Sequence, residues 1–232
     1  MITLTYSQDH LPAHGNLKKN DVQLFLKRLR KSIAPKKLRY VYCGEYGEQF
    51  GRPHYHMCLF GHDFKDKERV RETADGTHYT SMELSNVWGK GKCEITDLNF
   101  KTAAYVARYI TKKVNGAWGP SHYGRRTPEF LEASRKPGIG GTFYEEFKNE
   151  IYPRDEIIIN AQQCKPPRAY DKKFEEGGGD LTKIKEQRMA LAKTKTEHQT
   201  PERLKVRERV KQLHLKNQLK RRYENEDSDG SV

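Results

Sequence analysis

The chain has 232 residues, 34% hydrophobic and 32% charged, and a formal net charge of +13. So few apolar residues exclude one core running through the whole chain. The basic excess points to a polyanionic partner, nucleic acid above all. No apolar run reaches the length needed to cross a bilayer, so no membrane contact is expected.

Ile2 to Tyr6 is a β-branched and aromatic run that reads as a strand rather than a signal peptide. His10 to Gly15 breaks it. From Leu17 to Ile33 the residues Val22, Phe25, Leu26, Leu29 and Ile33 recur at helical spacing, with Asn20 or Asp21 able to cap. Leu38 to Tyr46 is a second strand, Gly47 to Arg52 a turn, and Pro53 to Phe60 a third strand. Residues 61–80 are polar and read as a surface excursion. Ser81 to Trp88 is a short helix closed by Gly89-Lys90-Gly91, Lys92 to Thr96 a fourth strand, and Asn99 to Val114 a helix. The order βαββαβ predicts an α+β fold of ferredoxin- or RRM-like type, an antiparallel sheet backed by helices.

After Gly116 the chain reads as a loop-rich extension to residue 176, and Gly177-Gly178-Gly179 as a flexible joint. Residues 181–223 carry 14 Lys and Arg against 4 Glu and form a basic helical segment split by Pro201, with an acidic, disordered tail from Glu224. The expected domains are therefore 1–176, with a catalytic core at 1–116, and an appendage at 177–232. Cys43, Cys58, Cys93 and Cys164 form no C-x-x-C pair, which predicts reduced thiols and no structural zinc site.

Two patterns carry chemistry. In a strand, residues two apart share a face, so His54, His56, Cys58 and Phe60 look one way and Tyr55, Met57 and Leu59 the other. Two imidazoles on one face can chelate a divalent ion. Folding the 47–52 turn back on itself sets Glu45 opposite His54, and a hard oxygen beside two imidazoles suits Mg²⁺ or Mn²⁺. Cys58 sits deeper and reads as core. His10, His14, His62, His78 and His122 read as solvated loop residues.

The second pattern is Tyr105-x-x-x-Tyr109-x-x-Lys112. With Arg108 it follows i, i+3, i+4, i+7 on one helical face, while Ala103, Val106, Ala107, Ile110 and Val114 form an apolar stripe nearly opposite. An ordinary phenol is a weak nucleophile at neutral pH, and the cations at Arg108 and Lys112 favour the phenolate. A tyrosine attacking a phosphodiester would give a tyrosyl-phosphate ester that preserves the bond energy for rejoining. The second tyrosine serves either as a second nucleophile or as a base-stacking residue.

With Thr3-Leu4-Thr5-Tyr6, Gly44-Glu45-Tyr46-Gly47, Gly51-Arg52-Pro53-His54-Tyr55-His56 and Tyr105 to Lys113 in hand, the chain resembles the HUH-superfamily rolling-circle replication initiators of Microviridae, nearest the gokushovirus-like single-stranded DNA phages. Ser134 to Gly140 and Pro166 to Lys172 also resemble family segments. The resemblance implies a metal-dependent DNA endonuclease and strand transferase that nicks origin single-stranded DNA, holds the 5′ end on a tyrosine and frees a 3′-hydroxyl. It implies Tyr105 and Tyr109 as nucleophiles with Lys112 assisting, and His54, His56 and Glu45 as metal ligands. The expected DNA contacts are Thr5, Tyr6, Arg108, Lys113, Arg135 and Lys136. The loop Ser134 to Gly141 either approaches the DNA backbone or is a tight structural turn. No P-loop run occurs, so a host helicase and DNA polymerase are the expected partners, in the cytoplasm of an infected bacterial host cell. Relatives usually carry a Cys- and Arg-containing stretch before the first motif, which leaves an upstream segment open. The competing reading is a non-catalytic RRM-like nucleic-acid-binding protein, but no RNP1-like run of Lys/Arg-Gly-aromatic-Gly-aromatic residues is present.

Overall fold

A computed structural model describes residues 1–47, 50–73, 76–108, 113–114, 116–194 and 196–226, with side chains in the last helix followed to residue 217. It divides into two compact units, Met1–Thr142 and Phe143–Val232.

The first unit is built on a seven-stranded sheet, β1 Ile2–Thr5, β2 Arg39–Tyr46, β3 Pro53–Phe60, β4 Glu68–Thr73, β5 Gly76–Thr80, β6 Cys93–Thr96 and β7 Phe130–Ala133. The strands lie in the order β4-β5-β6-β1-β3-β2-β7, and every neighbouring pair is antiparallel. The mixed α+β class agrees with the sequence reading. Two parts of the sheet do not. Residues 61–80, read as a surface excursion, contain the β4–β5 hairpin, which extends the sheet beyond β6, and β7 adds a strand beside β2. Residues 68–72 of β4 are all exposed, so this edge strand has no buried face and leaves no apolar alternation to read.

One face of the sheet carries the main core. Helix α1, Lys19–Ser32, buries Val22, Phe25, Leu26 and Leu29 against it, and helix α2, Met82–Trp88, buries Leu84 and Trp88. Ile2, Leu4, Tyr6, Tyr55 and Met57 supply the sheet side, each 2% exposed or less. Burying side chains of this size stabilises by about 1.5–3 kcal/mol each before the entropy of ordering them is counted. The ends of α2 follow their sequence signals. The Ser81 side chain accepts from Leu84 N–H at 3.0 Å, and Gly89 closes the helix with φ 64°. For α1 the expected cap is not used. Its N-cap is Lys18, with no side-chain hydrogen bond, and Asp21 instead accepts from the Tyr6 hydroxyl at 2.8 Å.

The opposite face carries a smaller cluster of Cys43, Cys58 and Val106, with Ala103, Tyr105 and Leu131 packed against it. Helix α3, Phe100–Arg108, supplies Val106 and lies over β2 and β3. Its start is fixed by a reciprocal pair, in which Thr102 N–H donates to Asn99 Oδ1 and Asn99 N–H to Thr102 Oγ1. The expected apolar stripe of α3 needs correction, because Ala107 is exposed while Thr102 is buried beside Val106. Short helix α4, Gly119–Tyr123, follows, and the Tyr123 hydroxyl accepts from Val114 N–H at 2.8 Å.

The second unit contains helix α5 Gly141–Arg154, whose first two residues fall in the first unit, a two-stranded hairpin of β8 Ile157–Ile159 and β9 Gln162–Cys164, and helices α6 Arg168–Glu176, α7 Thr182–Lys193 and α8 Pro201–Glu226. The stretch read as loop-rich thus includes α4, α5 and α6. Tyr144, Ile151, Tyr152, Leu181 and Ile184 form the core of this unit, which continues past the glycine run at 177–179. A Cβ at Gly179 would fall 2.3 Å from the Phe174 ring, so glycine there allows close packing as well as a turn. On α7, Arg188 bridges Asp155 and Asp171, and Asp171 also accepts from the Tyr152 hydroxyl. Pro201 opens α8 as expected, and every side chain of α8 from 201 to 217 is exposed. This helix runs on to Glu226, past the expected start of the acidic tail, and residues 227–232 lie outside the described residues. All four cysteines are free thiols. Among the described residues, no helix is long and apolar enough to cross a membrane.

Candidate metal centre

The β2–β3 pairing sets Glu45 opposite His54 and Cys43 opposite His56, the register that the six-residue turn implied. The turn is closed by Gly47 N–H donating to Arg52 O and Gly51 N–H to Gly47 O, and Gly51 takes φ 58°. The Arg52 guanidinium anchors it, donating to Tyr6 O at 2.6 Å and Gln8 Oε1 at 2.8 Å. Because side chains alternate, Glu45, His54 and His56 all emerge on the α3 face. Their ligating atoms lie within 4.8 Å of one another.

Glu45 is 2% exposed, His56 8% exposed and His54 half-buried. Glu45 Oε1 is 2.6 Å from His54 Nε2 and 3.1 Å from His56 Nε2. Burial alone would raise the carboxyl pKa, but hydrogen bonds and charge from the two imidazoles more than offset it and bring it to about 2. Glu45 is therefore an ionised oxygen donor at neutral pH. On the far side of each imidazole, His54 Nδ1 lies 3.0 Å from the Arg52 carbonyl and His56 Nδ1 3.1 Å from Thr3 Oγ1. An Nδ1–H donated to these oxygens turns each Nε2 lone pair toward Glu45, the orientation a metal ligand needs. Burial raises the pKa of the nearby Cys43 and Cys58 thiols, so sulfur does not compete as a donor. One carboxylate oxygen and two imidazole nitrogens fit a divalent cation such as Mn²⁺ or Mg²⁺, and the residues present suit the group.

Tyr105 meets this cluster. Its ring stands edge-on to His56, with centroids 5.6 Å apart and planes at 83°. It is half-buried beside Val106, so it lies at the border of the small core rather than on a solvated side opposite it. Tyr109, Ile110 and Lys112 lie outside the described residues. Arg108 is exposed and Lys113 half-buried. Thr5 pairs with His54 across β1 and β3 and shares its face.

Tyr6, expected at the DNA, is a core residue. It is 1% exposed on the other face, and its hydroxyl meets Asp21 and Tyr55. The alternation that puts Thr3 and Thr5 at the site puts Tyr6 away from it. Arg135 and Lys136 are exposed on a tight turn in which Arg135 bridges Gly138 and Gly141 N–H donates to Gly138 O. His78, read as a loop residue, lies in β5 and contacts Glu94 at 3.2 Å. Two features of the site face escaped the sequence reading. One is Thr3 as the partner of His56. The other is a polar group in which Glu94, paired with Thr3 in register, is met by Arg71, His78 and Lys92. The period-two pattern of β1 and β6 carried the signal for both.

With this geometry in view, residues 1–114 match the model of the replication-associated protein ORF2 family. Those residues belong to that family. The chain is 34% identical to the replication-associated protein ORF2 of Spiroplasma virus 4, over 83% of this chain and 63% of the relative. It is 30% identical to the replication-associated protein VP4 of Bdellovibrio phage phiMH2K, over 73% and 55%, and 33% identical to the replication-associated protein ORF4 of Chlamydia phage 1, over 73% and 44%. The chain thus spans between about half and two thirds of the length of these relatives. No solved structure matches it. The stretch matched to the family holds all three candidate ligands and Tyr105.

Proposed function

We propose that the chain is a replication initiator of a single-stranded DNA phage, acting in its bacterial host as an HUH-type nicking and rejoining endonuclease on a ferredoxin-like core. The observation that carries this reading is Tyr105 standing edge-on to His56 beside a buried Glu45–His54–His56 cluster. Replication-associated relatives, the family match and the charge of +13 support DNA as the substrate. The catalytic unit in this reading is 1–176, with 177–232 as a basic appendage.

Glu45, His54 and His56 would hold Mg²⁺ or Mn²⁺, which when bound draws charge from a non-bridging oxygen of the scissile phosphate. Thr3 and the Arg52 carbonyl keep the imidazoles oriented. The Tyr105 or Tyr109 hydroxyl attacks phosphorus in line with the 3′-oxygen. The new bond joins phenolic oxygen to phosphorus, and the bond from phosphorus to the 3′-oxygen breaks. The phenol proton leaves to solvent with Arg108 and Lys112 lowering its cost, and the departing 3′-oxygen takes up a proton. A 5′-phosphotyrosine and a free 3′-hydroxyl result, from which a host polymerase extends behind a host helicase. Attack of a 3′-hydroxyl on the tyrosyl ester reverses the step and seals the strand without a nucleotide cofactor. Thr5, Arg108, Lys113, Arg135 and Lys136 are the proposed DNA contacts. Tyr6, being buried, is not among them.

The test is incubation with single-stranded DNA carrying the phage origin and Mn²⁺, followed by a denaturing gel. A protein–DNA adduct that withstands denaturation and is lost in His54→Ala/His56→Ala supports the reading. Cutting at the wild-type rate by that variant after EDTA treatment would rule out the metal assignment.

A further inference from the structure

Phe50 is 87% exposed in the β2–β3 turn, although water would favour a polar residue there. This turn borders the metal centre. A Cβ at Gly47 would touch His54 Cε1 at 3.6 Å, so the turn and the His54 imidazole are in contact range. The turn is also fixed, by its two internal hydrogen bonds and by the Arg52 anchor to Tyr6 and Gln8. An aromatic ring is thus held out to solvent from a braced support.

A cation stands beside it. The Arg126 guanidinium lies over the Tyr46 ring at 4.8 Å, and a Cβ at Gly51 would come within 3.5 Å of its Nη1. Arg126 is half-buried, so packing against Tyr46 gives the charge a defined position next to Phe50. An exposed ring and an adjacent fixed cation match one ligand well, a nucleotide whose base is unpaired. The base offers a π-face to the phenyl ring and its phosphate offers an anion to the guanidinium. A paired base has both faces stacked and cannot take this place.

We infer that Phe50 and Arg126 form a binding station for one unpaired nucleotide at the turn end of the metal centre, with Phe50 stacking on the base and Arg126 meeting the phosphate. The station rests on the reading that this site takes single-stranded DNA. Its role is to hold the strand in place, and it takes no part in bond breaking.

Binding of the full chain to a labelled oligothymidine without an origin, in Mg²⁺, tests it apart from cutting. Phe50→Ala should weaken binding roughly 5- to 100-fold, the range for loss of one stacked base. Phe50→Trp should restore binding, and its extra indole emission should be quenched by the oligonucleotide. Phe100→Ala should bind as the wild type does, because Phe100 is as exposed (91%) but follows β6 at the opposite end of the sheet from the turn. Arg126→Ala should flatten the dependence of log Kd on log salt by about 0.7, one single-strand phosphate. Wild-type affinity in Phe50→Ala, an equal loss in Phe100→Ala, or an equal loss on duplex DNA would overturn the stacking role. An unchanged salt slope in Arg126→Ala would overturn the phosphate contact. Failure of the wild type itself to bind oligothymidine would instead sink the underlying reading, and the station with it.

Discussion

Replacing Glu45 by Gln keeps the shape of the side chain and removes only its charge. In the metal-free protein the carboxylate accepts from two imidazoles, and its pKa falls from 4.5 to about 2. A shift of that size corresponds to about 3 kcal/mol of folding stability at 1.36 kcal/mol per unit. The group is buried, so solvent screening does not reduce this much. The folded pKa is depressed, so the contribution is present in full above the unfolded value and is lost as pH falls from 4.5 through about 2. Glu45→Gln in EDTA should therefore be about 3 kcal/mol less stable than wild type at pH 7, and the gap should close as pH approaches about 2. For chains of this size that is roughly 6–12 °C in Tm. Urea denaturation followed by fluorescence, with buried Trp88 as a reporter of the first unit, measures both quantities. Equal stability at pH 7, or a gap that does not depend on pH across this range, would refute the account of Glu45 as a buried, imidazole-paired carboxylate.

Saturating Mn²⁺ should raise the Tm of wild type, by about 2.7 kcal/mol of stabilisation at one hundred times Kd, and should leave His54→Ala/His56→Ala unmoved; an equal shift in both would place the ion elsewhere. Gly91→Ala should destabilise the first unit by more than about 3 kcal/mol in urea, because the new Cβ would fall 2.3 Å from Ser7 N and 2.4 Å from Thr5 O, both backbone atoms, at φ 150°. A stop after Gln199 removes α8 while keeping Leu181 and Ile184 in the second core, and should weaken binding to DNA of any sequence and flatten its salt dependence. An unchanged slope would make α8 a solvated helix with no part in binding.

Much of the site was legible because it depends on short-range geometry. Strand alternation put His54 and His56 on one face, and the length of the 47–52 turn fixed the register that brings Glu45 to them. Ser81 and Gly89 marked α2 correctly because capping is local chemistry. What escaped depends on partners distant in sequence. The β4–β5 hairpin is an edge with no buried face, and β7 is recruited by β2 from some ninety residues away. Tyr6 sits in a motif whose alternate residues reach the site, yet its own side chain faces α1, where it takes the carboxylate of Asp21 from the helix cap. The run Gly177–Gly179 looks like a linker by composition, and only the packing of Leu181, Ile184 and Phe174 gives it a place in a core. The face of α3 was misjudged at Ala107, because Tyr105 fills part of the space beside Val106 that a purely apolar stripe would have occupied.

The central claim is that a tyrosine of the 105–109 pair becomes joined to DNA. The most direct measurement is the denaturing-gel adduct formed with labelled origin single-stranded DNA and Mn²⁺, compared among wild type, Tyr105→Phe, Tyr109→Phe and the double variant. Each single variant loses one hydroxyl and should still cut once, yet fail to complete the second transfer that circularises the strand. The double variant should bind DNA and form no adduct. A double variant that still becomes covalently linked to DNA would place the nucleophile elsewhere and contradict the mechanism.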